Sequence, residues 1–206
     1  MTTEKLSLGT LGTNCYIVYD EKSKEAFITD PADSFNIIKK RIDELGIDVK
    51  YIILTHAHCD HICALDELKN YTDAKICVGR YEKDALNDST LNLCHLFGCS
   101  SPNSKPDELL KDGDELSFGD SFVKIIETPG HTPGCISIFF DNTLISGDTL
   151  FFESVGRCDF PGGSSRELLI SIKEKLYSLP DSTIVCPGHG DNTTIGHEKV
   201  NNPFVW

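Results

Sequence analysis

The chain has 206 residues, 39% hydrophobic and 25% charged, the balance of one globular domain long enough to bury a real core. Its formal net charge is −13 and it has no lysine or arginine cluster, which excludes a nucleic-acid partner held by phosphate neutralisation. No basic segment followed by an apolar run opens the chain, and no apolar stretch reaches the roughly 18 residues of a membrane span, so a cytoplasmic protein without a membrane partner is expected.

In chain order, Asn14–Tyr19 (NCYIVY) and Lys24–Thr29 (KEAFIT) are short β-rich runs joined by the polar turn Asp20–Ser23, a hairpin pattern. Asp33 or Ser34 can cap a helix whose apolar positions Ile37, Ile38, Ile42 and Leu45 keep a helical period and stop at Gly46. Lys50–Leu54 (KYIIL) is nearly continuous in apolar character, as in a strand buried on both faces. One helix is predicted from near Asp60, with Ile62, Leu65 and Leu68 on one face. Residues 87–106 are irregular, either a mobile loop or a pair of short helices. Strands follow at Glu115–Phe118, Ser121–Glu127, Cys135–Phe140 and Thr143–Ile145. The pair Ser164 and Glu167 then forms a capping box for a helix over Ser165–Ser178, closed by Pro180. A last strand, Thr183–Cys186, leads into Pro187-Gly188-His189. The strand-then-helix order of both halves predicts two similar layers packed back to back.

Nine cysteines, with no Cys-x-x-Cys pair, read as free thiols in a reducing compartment. Cys15, Cys77, Cys135 and Cys186 lie in apolar strand-like runs and are expected in the core. Cys94, His95 and Cys99 have no matching second half for a zinc site.

The chemistry concentrates in Thr55-His56-Ala57-His58-Cys59-Asp60-His61. Three of the seven histidines fall within six positions directly after a buried strand. Residues two apart in an extended segment face the same side, so His56 and His58 can share a metal, and a turn into a helix can aim Asp60 and His61 at a second position. The same alternation turns Cys59 away. Imidazole and carboxylate suit Zn²⁺ and also Fe or Mn. Three later candidates, His131, Asp148 and His189, each follow a strand and adjoin a glycine, whose small size lets a side chain at a strand end face a shared cleft. His95 and His197 fall in irregular and polar segments outside this pattern.

The run His56-x-His58-x-Asp60-His61, followed by His131, Asp148 and His189, resembles the signature of the metallo-β-lactamase fold superfamily. It is most similar to the short single-domain, glyoxalase II-like (hydroxyacylglutathione hydrolase-like) members. The likeness also takes in Asp30-Pro31, the run Val155–Gly163 and the ending Pro187-Gly188-His189-Gly190. It implies a mixed α/β fold, a four-layer αββα sandwich, with residues 1–206 as a single domain and no C-terminal helical glutathione-binding domain.

Carried over by position, the resemblance implies that His56, His58 and His131 hold one divalent metal ion, expected to be zinc. It gives Asp60, His61 and His189 a second ion, has Asp148 bridge both, and has Asp30 support the site from behind. Asp60 and Asp148 are the expected catalytic carboxylates. The implied reaction is attack of a metal-bridging hydroxide on a small acyl thioester or related ester, with Asp60 orienting the nucleophile or handling its proton. The alternative on the same fold is a persulfide dioxygenase-like enzyme with one iron, which needs only the first set of ligands. A true β-lactamase is disfavoured by the bridging Asp148. Arg157 and Asp159 either pin a loop or build the site's edge, and Cys158 is read as structural.

Overall fold

Thr13–Tyr19 is buried along its whole length, so it has protein on both faces. Its side chains divide accordingly: Cys15, Ile17 and Tyr19 enter one core, Tyr16 and Val18 another. The computed structural model, which describes residues 1–205, makes this strand the second of a six-stranded sheet. The sheet runs in chain order: β1 (Thr2–Leu8), β2 (Thr13–Tyr19), β3 (Glu25–Thr29), β4 (Asp48–Leu54), β5 (Lys75–Gly79) and β6 (Glu108–Leu110). Antiparallel hairpins join β1 to β3, and β3 to β6 are parallel. Parallel neighbours need crossovers. They are supplied by α1 (Phe35–Leu45), by α2 (Cys59–Ile62) with α3 (Leu65–Thr72), and by an irregular segment containing α4 (Cys94–Phe97).

The second half builds a matching sheet from β7 (Glu115–Phe118), β8 (Ser121–Glu127), β9 (Ile136–Phe140) and β10 (Thr143–Gly147). After a separate small hairpin of β11 (Leu150–Phe151) and β12 (Ser154–Val155) come α5 (Ser165–Ile170), β13 (Ile184–Pro187), β14 (Thr193–Thr194) and α6 (Ile195–Asn201). The strand order is β14-β13-β10-β9-β8-β7.

Three apolar layers separate four layers of structure. Ile38, Ile42, Leu65 and Leu68 pack helices α1 and α3 onto Ile28, Ile52 and Leu54. Between the sheets, Phe27 meets Phe118 edge-on at 5.3 Å and Phe140 at 5.8 Å, ring geometries that add to the area they bury. Leu168, Ile172 and Leu176 close the far side over Leu144 and Val185. The fold is the αββα sandwich that the resemblance implied.

Several local details refine the expectations. The single helix expected from Asp60 is two, because the Ala64 N–H donates to the Pro31 carbonyl at 2.9 Å instead of continuing the helical ladder. Ser34 caps α1 with no side-chain bond; its own N–H donates to Asp33. The helix over 165–178 is regular only to Ile170 and finishes as a π turn and a 3₁₀ turn. Strand β1 went unpredicted because its alternate residues are half-exposed and polar, and the polar segment that carries His197 forms α6, capped by Thr194. No helix among the described residues is long and apolar enough to cross a membrane.

Phe27 is fully buried where the two sheets meet. Phe27→Ala is expected to cost about 3–5 kcal/mol in chemical denaturation. A loss below about 1 kcal/mol would contradict its place at the centre of the inter-sheet core.

Candidate metal centre

Past Leu54 the chain stays extended, with His58 at φ −64° and ψ 148°. His56 and His58 therefore face the same side, their rings 4.7 Å apart and nearly perpendicular. Helix α2 then turns the chain back, the His61 N–H donating to the His58 carbonyl at 2.9 Å, and returns Asp60 and His61 to the same cleft. The second sheet contributes His131 from the loop between β8 and β9, Asp148 just past β10 and His189 just past β13.

All seven side chains meet at one edge of the sandwich. Ligand atoms of His56, His58 and His131 lie within 4.8 Å of one another, as do those of Asp60, His61 and His189. A third such group joins His56 and His61, one from each triad, to Asp148. The Asp148 carboxylate thus stands between the triads: Oδ1 is 3.4 Å from His61 Nε2, and Oδ2 is 3.7 Å from His131 Nε2 and 3.6 Å from His189 Nε2.

These groups fit cations. Six buried side-chain polar atoms lack a hydrogen-bond partner among the described residues, and five belong here: His56 Nε2, His58 Nε2, both ring nitrogens of His61, and Asp148 Oδ1. Each buried polar atom left unpaired costs about 1–3 kcal/mol, so five at one point mark a place built to hold something they can bind. His131 donates through Nδ1 to the Arg157 carbonyl at 2.6 Å, which leaves Nε2 with a lone pair facing the cluster.

The charge states divide the cluster. Burial, then the neighbouring imidazoles, holds His56 far below the ordinary histidine range and His58 down to about 3, so both are neutral donors of a lone pair. Burial would lower His61 as well, but Asp148, Asp60 and Asp30 raise it well above that range. Burial would raise Asp60 and Asp148, yet the histidines around them, His61 foremost, hold both below the carboxylate range.

Supporting contacts come from residues that sequence reasoning passed over, Asp30 excepted. Asp30 accepts from the Thr55 N–H and hydroxyl, both at 2.8 Å, and its Oδ2 lies 3.2 Å from His61 Nδ1 without hydrogen-bond alignment. The Thr13 hydroxyl donates to Asp60 Oδ2 at 3.1 Å. Asn14 donates to the carbonyls of Pro187 and Gly190, and the Tyr16 hydroxyl donates to that of Pro187, so β2 of the first sheet holds the turn that carries His189. A Cβ on Gly188 would lie 2.2 Å from Asp148 Oδ1, and glycine is required there. Glu82, buried behind the His56–His58 segment, was also missed, since Arg80, Lys83 and Asp84 make its surroundings read as a solvated turn.

Four of the remaining candidates stay outside. His95 bonds the Ser89 carbonyl, and His197 lies 3.0 Å from Glu153. Cys59 turns away into a cluster with Leu93 and Cys94, and Cys158 packs beneath α5. Arg157 grips Asp159 through two hydrogen bonds of 2.7 and 2.6 Å and lies over the Phe160 ring, whose edge contacts His58. It both pins the loop and walls the site.

The family model described as the metallo-beta-lactamase superfamily matches residues 8–189. The chain belongs to that superfamily. Among its relatives, the hydroxyacylglutathione hydrolase GloC of Haemophilus influenzae is 36% identical, with 100% of this chain and 98% of the relative covered. A probable metallo-hydrolase, YqgX, of Bacillus subtilis is also 36% identical, with the same coverage. Of solved structures, the BLEG-1 B3 metallo-beta-lactamase superposes with a TM-score of 0.94 at 35% identity, covering 99% of both chains. TTHA1623 in a di-iron-bound form gives 0.88 at 33% identity, covering 98% of this chain and 100% of that one. The chain is a metallo-hydrolase of this superfamily, with glyoxalase II-like relatives and a His/Asp cluster of metal-binding character.

Asp30→Asn keeps the volume but removes the negative charge beside His61. It is expected to weaken metal retention about 10–100-fold in competition with a chromophoric chelator. Unchanged retention would contradict a supporting role for Asp30.

Proposed function

We propose that the protein hydrolyses small acyl thioesters, or related esters, at a centre of two divalent metal ions. His56, His58 and His131 hold one ion, Asp60, His61 and His189 the other, and Asp148 is shared. The observation that carries this reading is the position of Asp148, grouped with one histidine from each triad. Two such ions, when bound, bring the pKa of a water molecule from near 16 toward about 7 and polarise a carbonyl oxygen. The similarity to a hydroxyacylglutathione hydrolase across the whole chain supports a thioester as substrate. The di-iron-bound neighbour supports two ions and leaves iron beside zinc as the metal.

The chain's own groups prepare the rest. A cavity of about 570 Å³ opens onto His58, Asp60, His131, Asp148 and His189. Leu11, Leu93, Phe97, Phe151, Val155 and Phe160 line it, apolar walls that exclude water and bury the substrate's carbon skeleton. His56, His58 and His131 are at most 4% exposed, whereas the side chains of Asp60 and His189 remain 20% and 27% exposed. Asp60 Oδ2, which accepts from the Thr13 hydroxyl and lies 3.2 Å from His189 Nε2, would orient the attacking water or help manage its proton.

A second reading, a persulfide dioxygenase-like enzyme with one iron that would be held by His56, His58 and His131, draws support from the similarity to ETHE1 from Myxococcus xanthus, which superposes with a TM-score of 0.82 at 28% identity.

Metal-loaded protein is expected to release thiol from S-lactoylglutathione or simpler acyl thioesters. Asp148→Ala should abolish turnover and lose metal, while Cys158→Ser stays within a few-fold. Failure on every thioester tried would end the thioesterase reading. Oxygen uptake with glutathione persulfide and one iron per chain would transfer the assignment to the second.

A further inference from the structure

Two buried carboxylates, Asp30 and Glu82, stand behind the ligand groups without belonging to any of them. Asp30 serves the His61 side. Glu82, 1% exposed, sits in the turn that leaves β5, its own N–H donating to the Gly79 carbonyl at 2.8 Å. Its two oxygens reach in different directions. Oε2 accepts from the Ala57 N–H at 2.9 Å, and Ala57 lies between His56 and His58. Oε1 accepts from the Thr132 hydroxyl at 2.5 Å and from the Gly134 N–H at 3.0 Å, on the segment that begins with His131.

One carboxylate therefore ties together the two segments that carry His56, His58 and His131, one from each sheet. None of its bonds reaches Asp60, His61 or His189 or the backbone beside them. The approach is specific to this chain's small residues: a Cβ on Gly134 would lie 2.5 Å from the Glu82 nitrogen. A buried carboxyl group accepting three hydrogen bonds is stiff, because the Ala57 and Gly134 N–H groups left without it would be buried and unpaired.

We infer that Glu82 is a positioning residue that fixes the separation of the His56–His58 segment from His131, and so sets the cation affinity of that triad alone. It touches neither ion nor substrate. The inference rests on the two-triad reading proposed above. A residue that merely held the fold would weaken both triads, since both depend on the same pair of sheets; a positioning residue acts on one.

The substitution Glu82→Gln keeps length and volume but turns one acceptor oxygen into an NH₂ group. That group faces either the Ala57 N–H or the Thr132 and Gly134 donors, a buried donor opposed to a donor. Thr132→Val removes one of the three donors and leaves the carboxylate in place. The test strips the protein with a chelator and titrates it with Zn²⁺ against a chromophoric competitor. Anomalous diffraction at one equivalent then locates the tighter ion.

In Glu82→Gln, one of the two affinities is expected to fall about 10–100-fold while the other stays within about 3-fold. The ion retained at one equivalent should lie among Asp60, His61 and His189. Thr132→Val should weaken the same site by less, and it decides the matter if Glu82→Gln does not fold. Equal loss at both sites, or no loss at either, overturns the inference. If the unaltered chain takes up one ion only, the two-ion reading fails. The inference then stands only if that ion lies among His56, His58 and His131 and is weakened by the substitution.

Discussion

Every ligand group at this site is assembled from both sheets. The loop after β4 and helix α2 supply His56, His58, Asp60 and His61, while His131, Asp148 and His189 come from three loops of the other sheet. Neither sheet can form a triad alone, so the chemistry depends on holding two β-layers in one fixed register at a single edge. An apolar interface such as the Phe27–Phe118–Phe140 contact supplies adhesion but little positional specificity. The specificity comes from polar bonds that cross the sandwich beside the cluster: Asn14 and Tyr16 to the His189 turn on one side, Glu82 to the His131 segment on the other. Bound cations would complete the same bridge, coupling metal retention to the stability of the edge.

The two triads are electrostatically unlike. Burial holds His56 and His58 below the ordinary histidine range, whereas the other group gathers Asp60 and, around His61, Asp148 and Asp30, whose charges raise His61 above that range. Both triads border the apolar cavity, one through His58 and His131 and the other through Asp60 and His189.

Much of this could be read from residue order. The buried strand Lys50–Leu54, the extended His56-x-His58 and the glycine beside each later ligand announced the cluster because ligation demands particular side chains at particular spacings. The two-layer architecture followed from the repeated strand-then-helix order. What stayed hidden was backbone and context. The break between α2 and α3 arises from a distant carbonyl, that of Pro31, and Arg157 serves His131 through its main chain, which carries no residue-type signal. Glu82 lies amid charged neighbours, and only three-dimensional burial separates it from a solvated turn. Strand β1 lacks the apolar alternation that would mark it, since an edge strand buries little.

The central claim is a two-ion centre spanning both sheets with Asp148 in common, and anomalous diffraction from metal-loaded crystals tests it most directly. Two peaks about 3.5–4 Å apart, one among His56, His58 and His131 and the other among Asp60, His61 and His189, both in contact with Asp148, are predicted. A single peak in the first triad, with the second triad bare at saturating metal, would contradict it.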